Sequence, residues 1–374
     1  MKKFLAILAA WIFLIEVAAA AQLEPEYYAE PEYADDEIPP ETTEPETSGE
    51  GLEFLVYDEN GVMAFAVIAA HENYKLRPIL ARNQIQGRAT LAQITKNLDD
   101  IAIINASYFM PTGSLIGVTK IDGEIIGRDE FYRSAIGITA GGAAVFGRVR
   151  YEGKIILNGV ERGIDEVNWA RTENSLILYN RYWGANTATN EFGVEILVRD
   201  GVIKKIFRGK GNMRIPRGGY VLSAHGAAAE FFANARVGDK ITISQKIISD
   251  TGDFNDIPTV IGAGPRLVKD GKVCVTAAEE KFPSDIRSGR APRSAVGVTI
   301  YGDYIFAVVD GRQAHSRGCT LEEWAKILIK FGAVDAINLD GGGSTELIVK
   351  DALVNRPSDG RERQIASAIA IMPK

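Results

Sequence analysis

The sequence has little cysteine, no block of basic residues and no apolar run of membrane-spanning length. Its two cysteines, Cys274 and Cys319, allow at most one disulfide, and the sequence leaves their pairing open. Because neither a Lys/Arg block nor a nucleic-acid motif is present, we predict no nucleic-acid partner. The apolar stretch from Phe4 to Ile15 covers about a dozen residues, whereas a helix needs roughly 20 to cross a bilayer. A permanent membrane span is therefore not expected.

The N-terminus has the form of a secretory signal. Met1-Lys2-Lys3 precedes the apolar stretch, and residues 17–21 supply the small side chains of a cleavage site. We predict a signal peptide over residues 1–21, with an uncleaved anchor as the alternative. No cysteine follows to take a lipid, so we expect a secreted or extracytoplasmic (cell-envelope) protein with no stable membrane span after signal cleavage.

An acidic segment follows the signal. Residues 22–50 are rich in Glu, Pro, Thr, Tyr and Asp, have no Lys or Arg, and contain almost no aliphatic side chains. Such a composition cannot bury a core and favours an extended, self-repelling chain, so we predict a disordered linker. The formal net charge of the whole chain is -7. Because the linker carries the acidic excess, the remainder is slightly basic, which suits an anionic substrate.

Residues 51–374 are expected to form one domain, because no second linker-like segment interrupts them. Short β-rich runs separated by Asp-Gly and similar turn signals dominate this part. The clearest helix is predicted from Leu321 to Phe331, where Thr320 and Glu323 form a capping box and apolar residues recur on one face. We therefore predict an α+β fold of strand-rich mixed sheets with a few flanking helices.

Two predicted strands that begin with arginine resemble each other. Arg-Ser-Ala-Ile-Gly-Ile-Thr at 133–139 is echoed by Arg-Ser-Ala-Val-Gly-Val-Thr at 293–299. Two related half-domains would explain the echo, and so would two strands that solve the same packing problem. If Arg133 and Arg293 converge, their guanidinium groups would form a clamp for phosphate. Taken singly, each is more often a structural ion-pair partner.

The strongest local motif combines an aspartate with three glycines. An apolar strand ends at Asn338-Leu339-Asp340 and is followed by Gly341, Gly342, Gly343 and Ser344. Three consecutive glycines let backbone N–H groups approach a ligand closely, and such a nest favours an anionic oxygen such as phosphate. The motif therefore predicts phosphate binding beside a carboxylate. A glycine-rich turn capped by aspartate is the alternative.

A second carboxylate, Asp310, follows the predicted strand Tyr304 to Val309, and Arg312 lies two residues further on. If Asp310 and Asp340 share one edge of a sheet, they supply the two carboxyl groups that glycoside cleavage commonly uses. We therefore predict both as catalytic residues. A turn cap with a salt bridge to Arg312 is the alternative for Asp310.

Two other chemistries have less support in the sequence. Ser344 as a nucleophile would lack a Gly-x-Ser-x-Gly frame and would depend on one of the three histidines as its base. Asp310, Asp340 and Asp359 could offer oxygen ligands to a metal, but no metal-binding spacing is present. We predict no metal site and no cofactor, and keep a divalent metal as an open alternative.

The C-terminal motifs, in this order, resemble the phosphodiester glycosidase family. The segments that carry the resemblance are Pro-Arg-Ser-Ala-Val-Gly at 292–297, Asp-Gly-Arg-Gln at 310–313 with Ser316, Gly318 and Thr320-Leu321, Asn-Leu-Asp-Gly-Gly-Gly-Ser at 338–344, and Asn-Arg-Pro-Ser-Asp-Gly at 355–360 with Arg363. Upstream, Asn105-Ala106-Ser107-Tyr108-Phe109 is similar to the family's Asn-Gly-Gly-Phe-Phe, although both glycines are replaced. The resemblance covers roughly residues 101–372.

The resemblance implies hydrolysis of the bond between the anomeric carbon of a sugar and a phosphodiester oxygen. The pocket residues that it implies are Asp340 and Asp310 as catalytic groups, and Arg133, Arg293, Arg312, Asn105, Asn338, Gly341, Gly342, Gly343 and Ser344 as substrate-binding groups. Bacterial-type relatives are linked to exopolysaccharide or cell-envelope material. We predict an exported hydrolase whose partner is a sugar phosphodiester or an envelope glycan. A non-catalytic glycan-binding module and a metal-dependent phosphodiesterase are the alternatives.

Overall fold

The computed structural model describes residues 51–96 and 98–374. The predicted signal peptide (1–21) and linker (22–50) lie outside the described residues. In the described part, no helix is long and apolar enough to cross a membrane.

Strands supply most of the regular structure in the described residues. In chain order they are β1 (Leu52–Glu59), β2 (Val62–Ala69), β3 (Tyr74–Leu80), β4 (Ala102–Asn105), β5 (Tyr108–Phe109), β6 (Leu115–Ile116), β7 (Thr119–Ile121), β8 (Glu124–Gly127), β9 (Arg133–Ile138), β10 (Ala144–Leu157), β11 (Val160–Gly163), β12 (Glu166–Val167), β13 (Leu176–Tyr179), β14 (Val194–Arg199), β15 (Val202–Arg208), β16 (Tyr220–Ala224), β17 (Ile241–Ser249), β18 (Thr259–Gly262), β19 (Arg266–Lys269), β20 (Lys272–Val273), β21 (Arg293–Val298), β22 (Tyr304–Val309), β23 (Asp335–Asn338), β24 (Leu347–Val349), β25 (Ala352–Leu353) and β26 (Ser367–Pro373). The α-helices of the same residues are α1 (Leu91–Thr95), α2 (Ala227–Glu230), α3 (Ser284–Ser288) and α4 (Leu321–Lys330), and 3₁₀ turns cover Ala81–Asn83 and Gly342–Ser344.

The predicted strand-rich architecture is confirmed, but the α+β label is correct only in part because the described domain is mostly β. Helix α4 has ten residues, and the other α-helices have four or five. The physical reason lies in the sequence, where a sustained helical period occurs only at α4. There, the predicted capping box of Thr320 and Glu323 is present, and the apolar face that includes Trp324 and Leu328 is buried.

The strands of the described residues form four larger sheets and one two-stranded pair. The first sheet has the order β1-β2-β22-β21-β23-β19-β20, the second β11-β10-β9-β18-β7-β8 with β17 also paired to β10, the third β12-β13-β16-β14-β15, and the fourth β25-β24-β4-β26-β3, while β5 and β6 form a separate pair. Neighbouring strands of the first sheet are antiparallel. Non-consecutive strands therefore meet in its centre, which brings distant motifs together.

The central hairpin β21–β22 is buried along its whole length. Alternate side chains sort to two faces, as the period of a strand requires. Ala295 and Ala307 pack with Trp324 of α4, whereas Val296 and Phe306 enter the core shared with the second and fourth sheets. The side that faces the helix also carries Ile305 and Val309, so both faces of the hairpin are covered by apolar packing.

The repeated arginine strands occupy equivalent places in two sheets. Strand β9 is flanked by β10 and β18, and β21 is flanked by β22 and β23. Ala135 lies opposite Gly262, and Ala295, its counterpart in the echo, lies opposite Asn338. Both arginine strands also lead into a hairpin turn with the same backbone bonds, from Thr139 N to Ala143 O and from Thr299 N to Asp303 O. The two strands therefore share their local surroundings, as either interpretation of the echo predicts.

The register of the first sheet brings three sequence motifs to one edge. Arg293, the first residue of β21, lies opposite Val309 on β22, and Ala295 lies opposite Asn338 on β23. Asp310 and Asp340, which follow those partner strands, therefore flank the beginning of β21 on either side. Two strand spacings separate their backbones by roughly 10 Å.

Candidate active site

Asp340 sits where β23 opens into the glycine turn. Its backbone N–H donates to Ala106 O at 2.9 Å, and its backbone carbonyl accepts from Asn105 Nδ2 at 2.6 Å. The carboxyl Oδ1 accepts from the Gly341 N–H at 3.0 Å. The residue is half-buried. Its backbone is thus fixed from both sides while its side chain stays partly accessible.

The environment of Asp340 disfavours the charged carboxylate. Burial raises the pKa of this carboxyl to about 6, while the nearby Ser344 hydroxyl, the Arg363 guanidinium and the Gly341 N–H act in the opposite direction. Ser344 Oγ is buried and makes no hydrogen bond of normal geometry. It is still close enough to the Asp340 carboxyl to favour the ionised form of that carboxyl. A carboxyl with its pKa near 6 exchanges protons close to neutral pH, as a general base or acid requires.

Two arginines and an aspartate surround the glycine turn. A Cβ added at Gly343 would meet Arg363 Nη2 and Asp359 Oδ2, so both side-chain ends would have to move. Arg363 and Asp359 form an ion pair at 2.7 Å on the exposed side. At Gly342, which has φ +62°, Arg312 Nη1 would be 3.6 Å from an added Cβ. Cationic side chains thus pack directly against the turn, and the positive φ of Gly342 favours glycine there.

The predicted nest of free backbone amides is only partly present. The Gly341 N–H is used by the Asp340 carboxyl, and the Gly342 N–H donates to Pro292 O at 2.9 Å. Gly341 itself packs against Pro292 O. These bonds explain why the glycines are needed to shape the turn. Arg312 and Arg363, rather than the first two amides of the turn, supply its positive charge.

Asn105 and Asn338 are buried amide side chains next to Asp340 in the sheets. Both are 1% exposed. Asn105 Oδ1 accepts from Ser294 Oγ at 2.6 Å and from the Glu346 N–H at 3.3 Å, so this one amide joins β4, β21 and both ends of the glycine turn. Asn338 Nδ2 donates to Tyr108 Oη at 3.0 Å. Their placement indicates that they position Asp340 and its neighbours.

Tyr108 connects Asp340 with the two predicted clamp arginines. Its hydroxyl donates to Gly264 O at 3.1 Å. Burial and the negative charge of Asp340 raise the pKa of Tyr108, while Arg293 and Arg133 lower it. The tyrosine hydroxyl thus lies within electrostatic reach of all three charged groups. The ring of Tyr108 packs with Phe282, and Arg133 lies over that second ring.

The two arginines are nevertheless held by protein groups. Arg293 is 3% exposed and donates from Nη2 to Gly289 O at 2.7 Å and from Nε to Cys319 O at 3.2 Å. Burial lowers the pKa of Arg293. Arg133 pairs with Asp129 at 3.3 Å and lies over the ring of Phe282. Their charges can act on a nearby anion, but each also has a structural role.

Asp310 reaches the same edge but does not present its carboxyl to the glycine turn. It is 1% exposed, and its oxygens contact His315 Nε2 at 2.9 Å, Asn355 Nδ2 at 3.2 Å and the Arg356 N–H at 3.0 Å. Burial raises the pKa of Asp310, and these three contacts act against that shift. The alternative interpretation gave Asp310 a salt bridge to Arg312, but its ion-pair partner in the structure is His315.

Buried polar atoms without hydrogen-bond partners concentrate near Asp340. Of the ten such side-chain atoms in the described residues, six belong to the motifs around the glycine turn: Ser107 Oγ, Asn338 Oδ1, Ser344 Oγ, Thr345 Oγ1, Glu346 Oε2 and Ser358 Oγ. Native proteins leave few buried polar groups unsatisfied, so each requires an explanation. The motifs around the glycine turn are thus rich in buried polar side chains.

Several residues of this region were not assigned to the site from the sequence. Arg363 and Asp359 belonged to a recognised motif, and their packing on Gly343 gives them a place beside Asp340. Tyr108 lay in the motif that begins at Asn105. Glu346 directly follows the glycine motif, is fully buried, and has a pKa that burial raises to about 8. Its position two residues after Ser344 was the available signal.

Other features of the described part lie outside this cluster. A surface depression of about 400 Å³ is lined by Glu130, Phe131, Tyr132, Arg150, Glu279 and Lys281, and a second of about 190 Å³ lies beside Cys274, while Asp340 lines neither. No group of three His, Cys, Asp or Glu residues in this part is placed to hold a metal ion. Cys274 and Cys319 are both free thiols.

Residues 192–372 match the family model described as phosphodiester glycosidase. The resemblance predicted from the motifs is thereby confirmed. The matched segment includes Arg293, Asp310, Asp340 and Arg363, and it begins after Asn105 and Arg133. Asn105 nevertheless bonds to Asp340, and Arg133 lies over Phe282, which packs against Tyr108.

The relatives share part of their length with this chain. N-acetylglucosamine-1-phosphodiester alpha-N-acetylglucosaminidase of Bos taurus is 32% identical over 150 residues, which cover 37% of this chain and 28% of the bovine protein. The SPbeta prophage-derived uncharacterized protein YomE of Bacillus subtilis (strain 168) is 35% identical over 105 residues, which cover 28% of this chain and 16% of YomE. The chain thus spans less than a third of either relative.

Two solved structures have a similar fold. A hypothetical protein from Synechocystis gives a TM-score of 0.74 at 25% identity, covering 86% of this chain and 62% of that one. A protein from Burkholderia pseudomallei K96243 gives a TM-score of 0.70 at 22% identity, covering 83% of this chain and 74% of that one. These similarities extend over most of the described domain, including the part before residue 192.

Proposed function

We propose that this chain hydrolyses the bond between the anomeric carbon of a sugar and an oxygen of a phosphodiester. The observation that carries the proposal is the position of Asp340, a half-buried carboxyl with its pKa raised to about 6 beside a glycine turn that two arginines cover. The family match supports a hydrolase of this class. The arrangement places a carboxyl that can act at the anomeric carbon beside guanidinium groups that can bind the phosphate.

The chemistry of the leaving group explains why cations matter at this site. When the bond between carbon and oxygen breaks, its electron pair stays on the phosphate oxygen, and the aglycone departs as a phosphate monoester. The second pKa of such a monoester is about 6, so it leaves more readily than an alcohol. Arg363 and Arg312 would stabilise the increasing negative charge through guanidinium contacts.

Asp340 would act in its ionised form. A carboxyl with a pKa of about 6 is mostly ionised at neutral pH. It would either take a proton from the attacking water or attack the anomeric carbon itself, and in both routes water finally supplies the hydroxyl of the released sugar. Asn105 and the Gly341 N–H hold the residue in place for this step.

A substrate screen with labelled water tests the proposed reaction. Purified protein is incubated with a panel of sugar-1-phosphodiesters and ordinary aryl glycosides in H₂¹⁸O, and the products are identified by mass spectrometry. We expect turnover of a phosphodiester with ¹⁸O in the free sugar and none in the phosphate. Label in the phosphate, with activity lost in chelator, would instead indicate a metal-dependent phosphodiesterase. Binding without turnover across the panel would favour a glycan-binding module.

We also propose that the protein is exported and acts on exopolysaccharide or cell-envelope material. The sequence of residues 1–21 and the slightly basic charge of residues 51–374 support this proposal. Expression of the full chain followed by fractionation is expected to place it outside the cytoplasm, with a new N-terminus at Ala21 or Gln22. Recovery in the cytoplasm with Met1 retained would contradict export.

A further inference from the structure

The enclosed carboxyl of Asp310 is paired with a histidine that reaches solvent. The distance from His315 Nε2 to Asp310 Oδ2 is 2.9 Å, and the side chains are 28% and 1% exposed. Because Asn355 and the Arg356 N–H occupy the other carboxyl oxygen, Asp310 cannot contact a substrate directly. It can, however, fix the orientation of the imidazole. With Nε2 facing Asp310, Nδ1 is the ring nitrogen left for a further partner.

The loop that carries His315 is held rigidly. Gln313 and Ser316 exchange two backbone hydrogen bonds, of 3.1 and 3.2 Å, which close a short loop with His315 near its tip. Ser316 Oγ donates to Asp310 O at 2.7 Å and accepts from the Met63 N–H at 3.0 Å. The imidazole therefore has an anchored backbone as well as an anchored side chain, which is the arrangement expected of a preorganised functional group.

The same loop borders the glycine turn. Arg312, three residues before His315, lies against Gly342, and Gln313 Nε2 donates to Arg356 O at 2.8 Å. The loop is thus joined to the segment 355–363, whose Arg363 lies against Gly343. Two loops with basic side chains flank the turn that holds Asp340. His315 belongs to the loop on the Asp310 side.

We infer that His315 is a catalytic residue that contacts the phosphate of the substrate through Nδ1, and that Asp310 is the residue that positions it. This inference rests on the proposed phosphodiester glycosidase function. Imidazole is suited to the role because one ring nitrogen can donate to Asp310 while the other can donate to a phosphate oxygen. The structure thus assigns Asp310 a supporting function in place of the second catalytic carboxylate expected from the sequence.

The step balances in protons and electrons. The bond between the anomeric carbon and the phosphate oxygen breaks, and the electron pair stays on that oxygen. The proton of the His315 imidazolium at Nδ1 passes to the phosphate, while the Nε2–H continues to donate to Asp310. Water adds its hydroxyl to the carbon and gives its proton to Asp340. Solvent then reprotonates His315 and removes the proton from Asp340.

A double-mutant cycle on the full chain tests the inference. Steady-state kcat and KM are measured with the sugar phosphodiester that wild type hydrolyses, for His315→Ala, Asp310→Asn and the double variant. We expect His315→Ala to lower kcat by about 10²- to 10⁴-fold. Asp310→Asn should lower kcat less, and it should have no further effect in the His315→Ala background. His71→Ala, which removes the exposed partner of Asp303 at the other end of the first sheet, is the matched control and should keep the wild-type kcat.

The outcomes separate this inference from the proposed function. An active wild type with unchanged kcat in His315→Ala overturns the inference alone. So does an Asp310→Asn loss of equal size in both backgrounds, which would mean that Asp310 acts without His315. A wild type that hydrolyses no sugar phosphodiester overturns both. If His315→Ala lowers the unfolding temperature by more than a few degrees, His315→Asn gives the same comparison with less loss of packing.

Discussion

Replacing Asp340 with asparagine is expected to lower kcat on a sugar-1-phosphodiester by about 10²- to 10⁴-fold while the fold is kept. The asparagine Oδ1 can still accept the Gly341 N–H, and the backbone bonds to Asn105 and Ala106 do not involve the side chain. What is lost is the negative charge that takes a proton or attacks carbon, and general base catalysis alone contributes about 10²- to 10⁴-fold. Substrate affinity should change little, because the arginines that face the phosphate remain.

Steady-state kinetics together with thermal unfolding checks this prediction. Asp351→Asn is the matched control, because Asp351 is exposed in the turn between β24 and β25 and its φ of +66° is one that asparagine tolerates. That variant should keep the wild-type kcat. Because burial raises the folded-state pKa of Asp340 to about 6, its charge is unfavourable at neutral pH, so Asp340→Asn should unfold at the same or a higher temperature. An Asp340→Asn enzyme as fast as wild type would remove Asp340 from the mechanism.

The pH profile of the wild-type enzyme belongs to the same prediction. An ionised Asp340 is needed in both proposed routes, and its pKa is raised from an ordinary 3.8 to about 6. The value of kcat/KM should therefore fall below pH 6 and not near pH 4. The Arg363 charge is one of the factors that lower this pKa, so Arg363→Gln should move the acid limb to higher pH. A profile that is flat from pH 4 to pH 8 would contradict the role given to Asp340.

The sequence was sufficient to predict the main strands that carry the site and the helix that packs against them. Turn signals and β-rich runs predicted the sheets, and the capping box of Thr320 and Glu323 predicted α4. It could not predict the register that places Asp310 and Asp340 on either side of Arg293, because register depends on pairing between strands that are distant in the chain. The hypothesis therefore had to assume that both carboxylates lie at one edge of a sheet. The pairing of β21 with β22 and β23 places them there.

The orientation of side chains was harder to predict than their position in the chain. Asp310 was expected to act on the substrate, yet its carboxyl is enclosed by His315, Asn355 and the Arg356 N–H. The residues that enclose it come from two loops, and no local pattern in the sequence specifies how two loops pack. The same holds for Arg363, whose contact with Gly343 depends on the path of residues 355–363. Motifs thus predicted the residues of the candidate site but not their geometry.

Glu346 is expected to make folding stability depend strongly on pH. It is fully buried, its Oε1 accepts from the Arg363 N–H at 2.7 Å, and its Oε2 has no hydrogen-bond partner. Burial raises its pKa from 4.5 to about 8. Because the folded state binds the proton more tightly than the unfolded state, this contribution to stability is fully present below pH 4.5 and is lost as the pH rises through 8. The total is of the order of 3–5 kcal/mol, at about 1.4 kcal/mol for each pKa unit.

Urea unfolding of wild type and Glu346→Gln at several pH values between 5 and 8.5 measures this contribution. Glutamine keeps the acceptor for the Arg363 N–H but has no proton to lose, so the free energy of unfolding of the variant should fall less with pH than that of wild type. Asp340 contributes its own slope mainly between pH 4 and 6, since its folded pKa is about 6. The interval from pH 6.5 to 8 therefore isolates Glu346, and there wild type should lose about 2 kcal/mol relative to the variant. Parallel curves across that interval would show that Glu346 loses no proton there, which would contradict a pKa of about 8. A difference would instead show that the glycine turn is built over a carboxyl that holds its proton at neutral pH, which keeps a second negative charge away from the site where Asp340 and the phosphate would meet.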